Sequence, residues 1–257
     1  MEIDIENMDA GYGTTKILQG IDLHLEGPGL TCIIGPNGVG KSTLIKCMNK
    51  LLTPTAGTVK VNGRDVKEMT RKEIAEIISY VPVQSDDVFA MPVFDTVLIG
   101  RANKGGWRTS STDIIRVKKA LEVLDLTEYA DRPFNELSAG QHQTVAIARG
   151  LVQETEILIL DEPTSNLDIR HQIFVTSLMH EIAVSRGIMV IMISHNLNIA
   201  SMFADNVVLM EKPGRIKQVG PANDVITAEN ILEVYNVNCE VIQHQGRPVI
   251  LLDQVLN

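Results

Sequence analysis

The sequence from residue 30 to residue 44 reads LTCIIGPNGVGKSTL and carries the strongest structural signal in the chain. Its first five residues, Leu30 to Ile34, form a continuous apolar run bounded by glycine, which is typical of a fully buried strand. A glycine-rich turn follows, and residues 42–52 then read as a helix that the sequence Thr53 to Gly57 stops. The segment therefore predicts a strand, a tight turn and a helix in direct succession.

The turn matches the pattern G-x-x-x-x-G-K-[ST], whose residue types suit a bound phosphate. Glycines let consecutive backbone N–H groups point at phosphate oxygens, and the N-terminus of the next helix adds partial positive charge. Lys41 then reaches the β- and γ-phosphates, and the Ser42 hydroxyl is a ligand for Mg²⁺. The alternative, a glycine-rich turn with a surface lysine, is disfavoured by the flanking strand and helix. The predicted nucleotide-binding residues of this segment are Gly35, Pro36, Asn37, Gly38, Val39, Gly40, Lys41, Ser42 and Thr43.

A second apolar strand, Ile157 to Leu160, ends in two carboxylates, Asp161 and Glu162. Asp161 follows the carboxyl end of its strand, where it can hold Mg²⁺ through the water shell of the ion. Glu162 is then placed to orient or deprotonate a water for in-line attack on the γ-phosphate. A strand that ends in solvated acids is the alternative when such a strand stands alone.

The rest of the chain alternates between strand and helix patterns. Before residue 30, polar and apolar residues alternate between glycine and proline turns, which predicts short antiparallel strands. Strands that follow helices, such as 157–160 and 189–193, predict a parallel sheet with crossover helices. We predict one α/β domain over 1–257. In it, 1–84 and 155–257 form the core with an N-terminal antiparallel β subdomain and a C-terminal tail, and 85–154 form an inserted, mostly helical subdomain.

Composition excludes several classes of partner. The formal net charge of −9 argues against a nucleic-acid backbone and against direct adhesion to anionic lipid. The three cysteines lie far apart without metal-ligand spacing, so they predict neither a zinc site nor a disulfide. The N-terminus has no secretory pattern, and the apolar runs are too short to span a bilayer. Any role at a membrane is therefore expected to depend on another chain.

Further motifs carry a resemblance to a known family. The run Asp-Glu-Pro-Thr-Ser-Asn-Leu-Asp at 161–168 resembles the Walker B motif and D-loop of ABC transporter ATPases. The run Leu-Ser-Ala-Gly-Gln at 137–141 is similar to their LSGGQ signature. Single residues that match by position are Tyr12, Gln84 of the Q-loop and His195 of the switch. These motifs occur in the order and spacing of the family over nearly the whole chain, which implies the ABC ATPase fold.

The resemblance gives each single residue a role beside an ordinary alternative. Tyr12 would stack on adenine. The alternative is that it is only an aromatic residue at the end of a strand, without a role in binding. Gln84 would contact Mg²⁺, but the extra Val83 between Pro82 and Gln84 departs from the family pattern. His195 would bridge the γ-phosphate and the water held by Glu162, instead of being an edge histidine.

The signature residues imply a second copy of the chain. In the family, the signature of one subunit faces the ATP bound to the other, so two ATP molecules are enclosed in a head-to-tail dimer. Here Ser138, Gly140 and Gln141 would contact that ATP, and Asp168 would lie at the seam. Ala139 replaces the usual glycine, which a backbone with negative φ tolerates. We expect activity to survive this change.

The resemblance implies a Mg-dependent ATPase subunit that works with integral-membrane permease subunits and, indirectly, a substrate-binding protein at the cytoplasmic face of the membrane. The segments 97–101 and 231–235 most resemble the iron-siderophore, haem and cobalamin uptake group. Zinc, molybdate or another metal-chelate import stays open. Permease contact is expected at 84–96, with apolar surface from Val88, Phe89, Met91, Val93 and Phe94. For Phe94 and Val97 the alternative is that they pack the helical insertion. The alternative is an ABC ATPase outside transport, for example in iron–sulfur assembly. A regulatory GTPase is disfavoured because no N-K-x-D follows a strand.

Overall fold

The computed structural model describes residues 1–83, 90–102, 109–165 and 167–255. The strands are β1 Glu2–Tyr12, β2 Thr15–Glu26, β3 Gly29–Ile34, β4 Ala56–Val61, β5 Arg64–Asp65, β6 Ile78–Val81, β7 Ile157–Leu160, β8 Met189–Ile193, β9 Asn206–Glu211, β10 Arg215–Gly220, β11 Val237–His244 and β12 Arg247–Val255. The helices are α1 Lys41–Met48, α2 Arg71–Ile77, α3 Val93–Leu98, α4 Ser111–Val123, α5 Ala139–Leu151, α6 Ile169–Arg186, α7 Leu197–Phe203, α8 Ala222–Val225 and α9 Ala228–Tyr235. None of the helices in these ranges is both long and apolar enough to cross a membrane.

The central layer is a six-stranded sheet in the order β10-β9-β3-β8-β7-β6. Strands β9, β3, β8, β7 and β6 pair in parallel, and β10 pairs antiparallel with β9 at the edge. The predicted parallel sheet is therefore confirmed. Because carboxyl ends of parallel strands meet at one edge, the segments that follow β3, β7 and β8 come together there.

The predicted antiparallel strands near the N-terminus are also confirmed. They form a second sheet in the order β2-β1-β4-β5. Helix α1 packs between this sheet and the central one, because its apolar side chains share one core cluster with both. Side chains of β7 alternate between that cluster, which takes Ile157 and Ile159, and a second one, which takes Leu158 and Leu160. Burial of both faces explains why β3 and β7 are continuously apolar.

Helix α1 is shorter than the sequence predicts. The helix was expected to span 42–52, but it ends at Met48. Lys50 takes a left-handed backbone conformation with φ of 59°, and its Nζ donates to the carbonyl of Lys67 at 2.8 Å. This tertiary contact turns the chain, and Leu51 is consequently 53% exposed.

Helices α3, α4 and α5 pack on one another around buried valines: Val97, Val117 and Val145 have no exposed surface. Ser110 caps α4 in a capping box with Asp113. The division of the chain at 85 and 154 stays a prediction, since residues 84–89 lie outside the described ranges.

A buried ion-pair network joins these helices. Arg101 is 7% exposed and follows α3 in a 3-10 turn. Its Nε donates to Asp113 Oδ1 at 2.8 Å, and its Nη1 donates to the Val152 carbonyl at 2.6 Å and to Glu154 at 3.2 Å. Arg101 thus connects the start of α4 with the end of α5. A buried guanidinium needs such partners, because an unpaired buried charge is strongly destabilising.

This network predicts a pH dependence of stability. The Ser110 hydroxyl, and then the Arg101 guanidinium, lower the pKa of Asp113 from 3.8 to about 2. Since the folded pKa lies below the unfolded one, the stabilisation is complete above about pH 4 and is lost as the pH falls towards 2. We expect the difference in urea midpoint between the wild type and Asp113→Asn to shrink over that interval. The same difference for the exposed Asp125→Asn should stay constant; equal behaviour of the two variants would contradict the prediction.

Candidate functional site

The glycine-rich turn lies between β3 and α1, as predicted, and its glycines are required by geometry. Gly35 and Gly40 have φ of 150° and 106°. A Cβ at Gly40 would lie 2.6 Å from Leu18 Cδ2, and one at Gly35 would lie 2.6 Å from the Met210 carbonyl oxygen. Both values are far inside van der Waals contact. The backbone therefore passes close to its neighbours here, which leaves its N–H groups on the open side free of side chains.

Lys41 is the first residue of α1, and its side chain folds back over the turn. The residue is 5% exposed, and Nζ donates to the carbonyls of Gly35 at 2.7 Å and Pro36 at 3.0 Å. Burial lowers the pKa of Lys41, while Glu162 and Asp161 oppose that shift. The turn thus holds a desolvated cation beside two acids, and such a cation attracts a phosphate strongly.

Ser42 and Asp161 meet across the sheet edge. Ser42 Oγ donates to Asp161 Oδ1 at 2.9 Å, and the Tyr80 hydroxyl donates to Asp161 Oδ2 at 3.1 Å. Asp161 is 2% exposed, and burial raises its pKa. A desolvated carboxylate next to a hydroxyl is an oxygen donor set that fits Mg²⁺. Sequence reasoning missed Tyr80; the signal that could have found it is a polar-tipped residue in β6, the strand beside β7.

Glu162 and His195 are in direct contact, with Glu162 Oε1 2.7 Å from His195 Nε2. Glu162 follows β7 and His195 follows β8, so the parallel pairing of these strands brings them together. The backbone of Glu162 has φ of 50°, in the left-handed region that non-glycine residues rarely adopt. Such strain persists where the surroundings hold a residue in a required orientation.

One cavity of about 430 Å³ joins half of the predicted residues. It is lined by Tyr12, Ile17, Asn37, Gly38, Gly40, Lys41, Ser42, Thr43, Glu162 and His195. Tyr12, at the end of β1, is 50% exposed and presents its ring at the rim. The glycine-rich turn with Lys41 and Ser42, the Glu162–His195 pair and an exposed aromatic ring therefore surround one space.

The signature turn does not line that cavity. Ser138 caps α5 in a capping box with Gln141, as predicted for its N-cap position. Ala139 is the first helical residue and has no positive φ, so its methyl group is tolerated. A Cβ at Gly140 would meet Leu167 Cδ2 at 3.0 Å, which shows how closely this turn approaches the segment after Glu162.

Asp168 caps helix α6. Its Oδ1 accepts a hydrogen bond from the His171 N–H at 2.8 Å and lies 2.9 Å from His171 Nδ1. These bonds lower the pKa of Asp168, so the carboxylate stays charged. Gln84 of the predicted Q-loop lies outside the described residues, as do Val88 and Phe89.

Comparison with known proteins shows the family of the chain. The family model described as ABC transporter matches residues 18–165. An uncharacterized ABC transporter ATP-binding protein of Methanocaldococcus jannaschii is 39% identical over 98% of each chain. The iron(3+)-hydroxamate import ATP-binding protein of Bacillus subtilis is 34% identical over 97% of this chain and 94% of its own. A solved ABC transporter of metal-chelate type, in an inward-facing conformation, has a TM-score of 0.83 at 27% identity, covering 98% of this chain and 97% of its own.

The chain therefore belongs to the ABC transporter family, as an ATP-binding subunit with the ABC ATPase fold. Within that family it is similar to the import group, since relatives named for siderophore, hemin and cobalamin import also match. The protein binds ATP and is an ATPase, as the members of this class are.

Proposed function

We propose that this chain hydrolyses Mg-ATP at the cavity described above and thereby powers import through a separate permease. The observation that supports the proposal best is the contact of 2.7 Å between Glu162 and His195, at the rim of a cavity that also exposes Lys41 and Ser42. An acid paired with an imidazole, opposite a phosphate-binding turn, is the arrangement needed to direct a water at a terminal phosphate.

In this mechanism each residue acts at a stated place. Tyr12 stacks on the base, and the backbone N–H groups of residues 35–43 with Lys41 hold the phosphates. Ser42 and Asp161, together with Gln84, would hold Mg²⁺, which when bound would supply positive charge against the phosphates. Glu162 takes a proton from the attacking water, and His195 fixes Glu162 and the γ-phosphate relative to one another.

A second copy of the chain completes the site. Ser138, Gly140, Gln141 and Asp168 carry polar groups and a helix N-terminus, yet they lie away from the cavity of their own chain. We infer that they meet the ATP of a partner copy in a head-to-tail dimer. ATP binding then closes the dimer and hydrolysis reopens it, so nucleotide controls a two-state element.

The permease is proposed to contact the segment 84–96. Met91 and Phe94 are partly exposed there. Val93 is completely buried, so its prediction as contact surface is wrong, because it packs inside the helical cluster; Val97 is buried in the same way. We infer attachment at the cytoplasmic face of the membrane through this segment.

The cargo is proposed to be an iron chelate, haem or cobalamin, delivered by a substrate-binding protein. Support comes from the relatives, among them iron(3+)-hydroxamate, hemin and cobalamin import ATP-binding proteins. An ABC ATPase outside transport, for example in iron–sulfur assembly, is the alternative.

The test is purification of the tagged chain from native membranes in mild detergent, with its partners identified by mass spectrometry. We expect a multi-span permease and a binding protein whose ligand names the cargo. Met91→Glu should lose the permease and keep ATP binding. Ile115→Glu, which is a matched change at a side chain 64% exposed on α4, should keep both. Recovery of soluble proteins only, from membrane and cytosolic fractions alike, would reject transport and leave the ATPase chemistry intact.

A further inference from the structure

Tyr80 is the third residue of β6, the edge strand of the central sheet. It pairs in register with Ile159 of β7, so the two side chains leave the sheet on the same face. That face belongs to the apolar cluster shared with α1, against which the ring of Tyr80 packs. The aromatic ring is therefore held by the core, while its hydroxyl reaches the carboxyl edge of the sheet.

Two hydrogen bonds join β6 to Asp161. The Asp161 N–H donates to the Val81 carbonyl at 2.9 Å, and Asp161 Oδ2 accepts from the Tyr80 hydroxyl at 3.1 Å. The first bond fixes the backbone of Asp161, and the second fixes the rotation of its carboxylate. Neighbouring residues of one strand thus define both the place and the orientation of this side chain.

The two carboxylate oxygens of Asp161 have different partners. Oδ1 accepts from Ser42 Oγ at 2.9 Å, whereas Oδ2 accepts from the Tyr80 hydroxyl. Ser42 lines the cavity of about 430 Å³ described above. Because Tyr80 engages Oδ2, Oδ1 is the oxygen that faces Ser42, and these two atoms belong to the proposed Mg²⁺ ligands.

The burial of Asp161 makes the Tyr80 hydroxyl hard to replace. Asp161 is almost completely buried, so bulk water has little access to its carboxylate. A buried acceptor that loses its donor costs free energy, and more so when the acceptor is charged. Without the hydroxyl, the carboxylate would rotate until both of its oxygens share the remaining donor, Ser42. The oxygen beside Ser42 would then no longer be held in one orientation.

We propose that Tyr80 is a positioning residue of the Mg²⁺ site, whose hydroxyl holds Asp161 Oδ2 so that Oδ1 is presented beside Ser42. Tyr80 acts through Asp161 and is not itself a ligand. Removal of such a partner of a metal ligand typically weakens metal binding by about 10–100-fold. The inference rests on the proposed function, in which Ser42 and Asp161 are Mg²⁺ ligands.

The test is a titration with Mn²⁺, which takes the same oxygen ligands as Mg²⁺ and is measured by electron paramagnetic resonance. The full chain is first saturated with a non-hydrolysable ATP analogue. Tyr80→Phe removes one hydroxyl and keeps the ring in the core. We expect the dissociation constant for Mn²⁺ to rise about tenfold or more. Affinity for the analogue in the presence of EDTA should stay within about twofold of the wild type, because the change acts on the metal ligand alone.

The matched control is Ser79→Ala, at the residue before Tyr80 in the same strand. Ser79 is completely buried, and its hydroxyl donates to the Gly150 carbonyl at 3.1 Å and accepts from Thr155 at 2.9 Å. This variant also removes one hydroxyl that fixes β6, but it leaves both bonds to Asp161 intact. Its dissociation constant for Mn²⁺ should stay within about twofold of the wild type. Circular dichroism should show both variants folded, since neither substitution adds bulk.

Two results would overturn the proposal. One is an unchanged dissociation constant for Mn²⁺ in Tyr80→Phe. The other is an equal rise in Ser79→Ala, because the effect would then come from a loosened strand and not from the hydroxyl. Asp161→Asn tests the premise separately and should lose most of the Mn²⁺ binding. Unchanged Mn²⁺ binding in Asp161→Asn would reject the proposed ligand, and the inference with it, whereas a failure confined to Tyr80→Phe leaves the proposed function intact.

Discussion

Glu162→Gln is expected to bind ATP with wild-type affinity and to hydrolyse it about 10²–10⁴-fold more slowly. Glutamine has the size and the hydrogen-bonding reach of glutamate, but its amide cannot accept the proton of the attacking water. Binding should survive because Glu162 lies beside the phosphate-holding groups and is not among them. Since hydrolysis reopens the proposed dimer, the variant should accumulate as an ATP-bound dimer. The measurements are release of inorganic phosphate, and molar mass by light scattering with and without ATP.

The matched control is Glu181→Gln, the same change at an exposed position on α6. It should hydrolyse ATP at the wild-type rate and give no persistent dimer. Hydrolysis by Glu162→Gln within threefold of the wild type would remove Glu162 as the general base. Slow hydrolysis without a dimer would instead keep the base and contradict the proposed head-to-tail assembly.

Lys41→Ala is expected to weaken ATP binding strongly. Lys41 Nζ is a buried cation in the proposed site. In the structure it donates hydrogen bonds to two backbone carbonyls of the glycine-rich turn. Truncating one member of a desolvated charge contact costs about 2–5 kcal/mol. Since ~1.4 kcal/mol is a tenfold change in affinity, the loss should be roughly 30- to 3000-fold. Fluorescence titration with an ATP analogue measures it directly.

The change also leaves the carbonyls of Gly35 and Pro36 without their hydrogen-bond donor. A loss of ATP binding must therefore be distinguished from a loss of folded protein. Circular dichroism should show an intact fold, with a modest loss in melting temperature. Lys72→Ala, at an exposed lysine on α2, provides the matched control and should bind ATP normally. A folded Lys41→Ala protein with ATP affinity near that of the wild type would mean that backbone N–H groups alone hold the phosphates.

The sequence predicts the parts of the site that lie next to one another along the chain. The turn 35–42 and its flanking strand and helix have a local pattern, and the structure has them where that pattern places them. The approach of Asp161 to Ser42 was expected only because parallel strands share a carboxyl edge. Hydrogen bonds such as Tyr80 to Asp161 and Asn198 to Ile250 have no local pattern. They join residues far apart in sequence, so they depend on the register of the completed sheet.

Errors arose where tertiary contacts override local preference. Residues 49–52 have no strong helix breaker, yet the contact of Lys50 with Lys67 turns the chain after Met48. Val93 lies in a segment that is apolar at several positions, and composition does not tell which of those side chains faces inward. In the structure Val93 lies in the core, and Met91 and Phe94 are partly exposed.

The left-handed backbone of Glu162 has a consequence for how this sequence can change over time. A φ of 50° at a non-glycine residue raises the free energy of the folded state by about 1–3 kcal/mol. Selection for thermal stability alone would therefore favour glycine at this position, which relieves the strain and removes the carboxylate. Selection for turnover opposes that drift. The position is one where the two pressures conflict, and a lineage that keeps the acid must obtain its stability elsewhere in the fold.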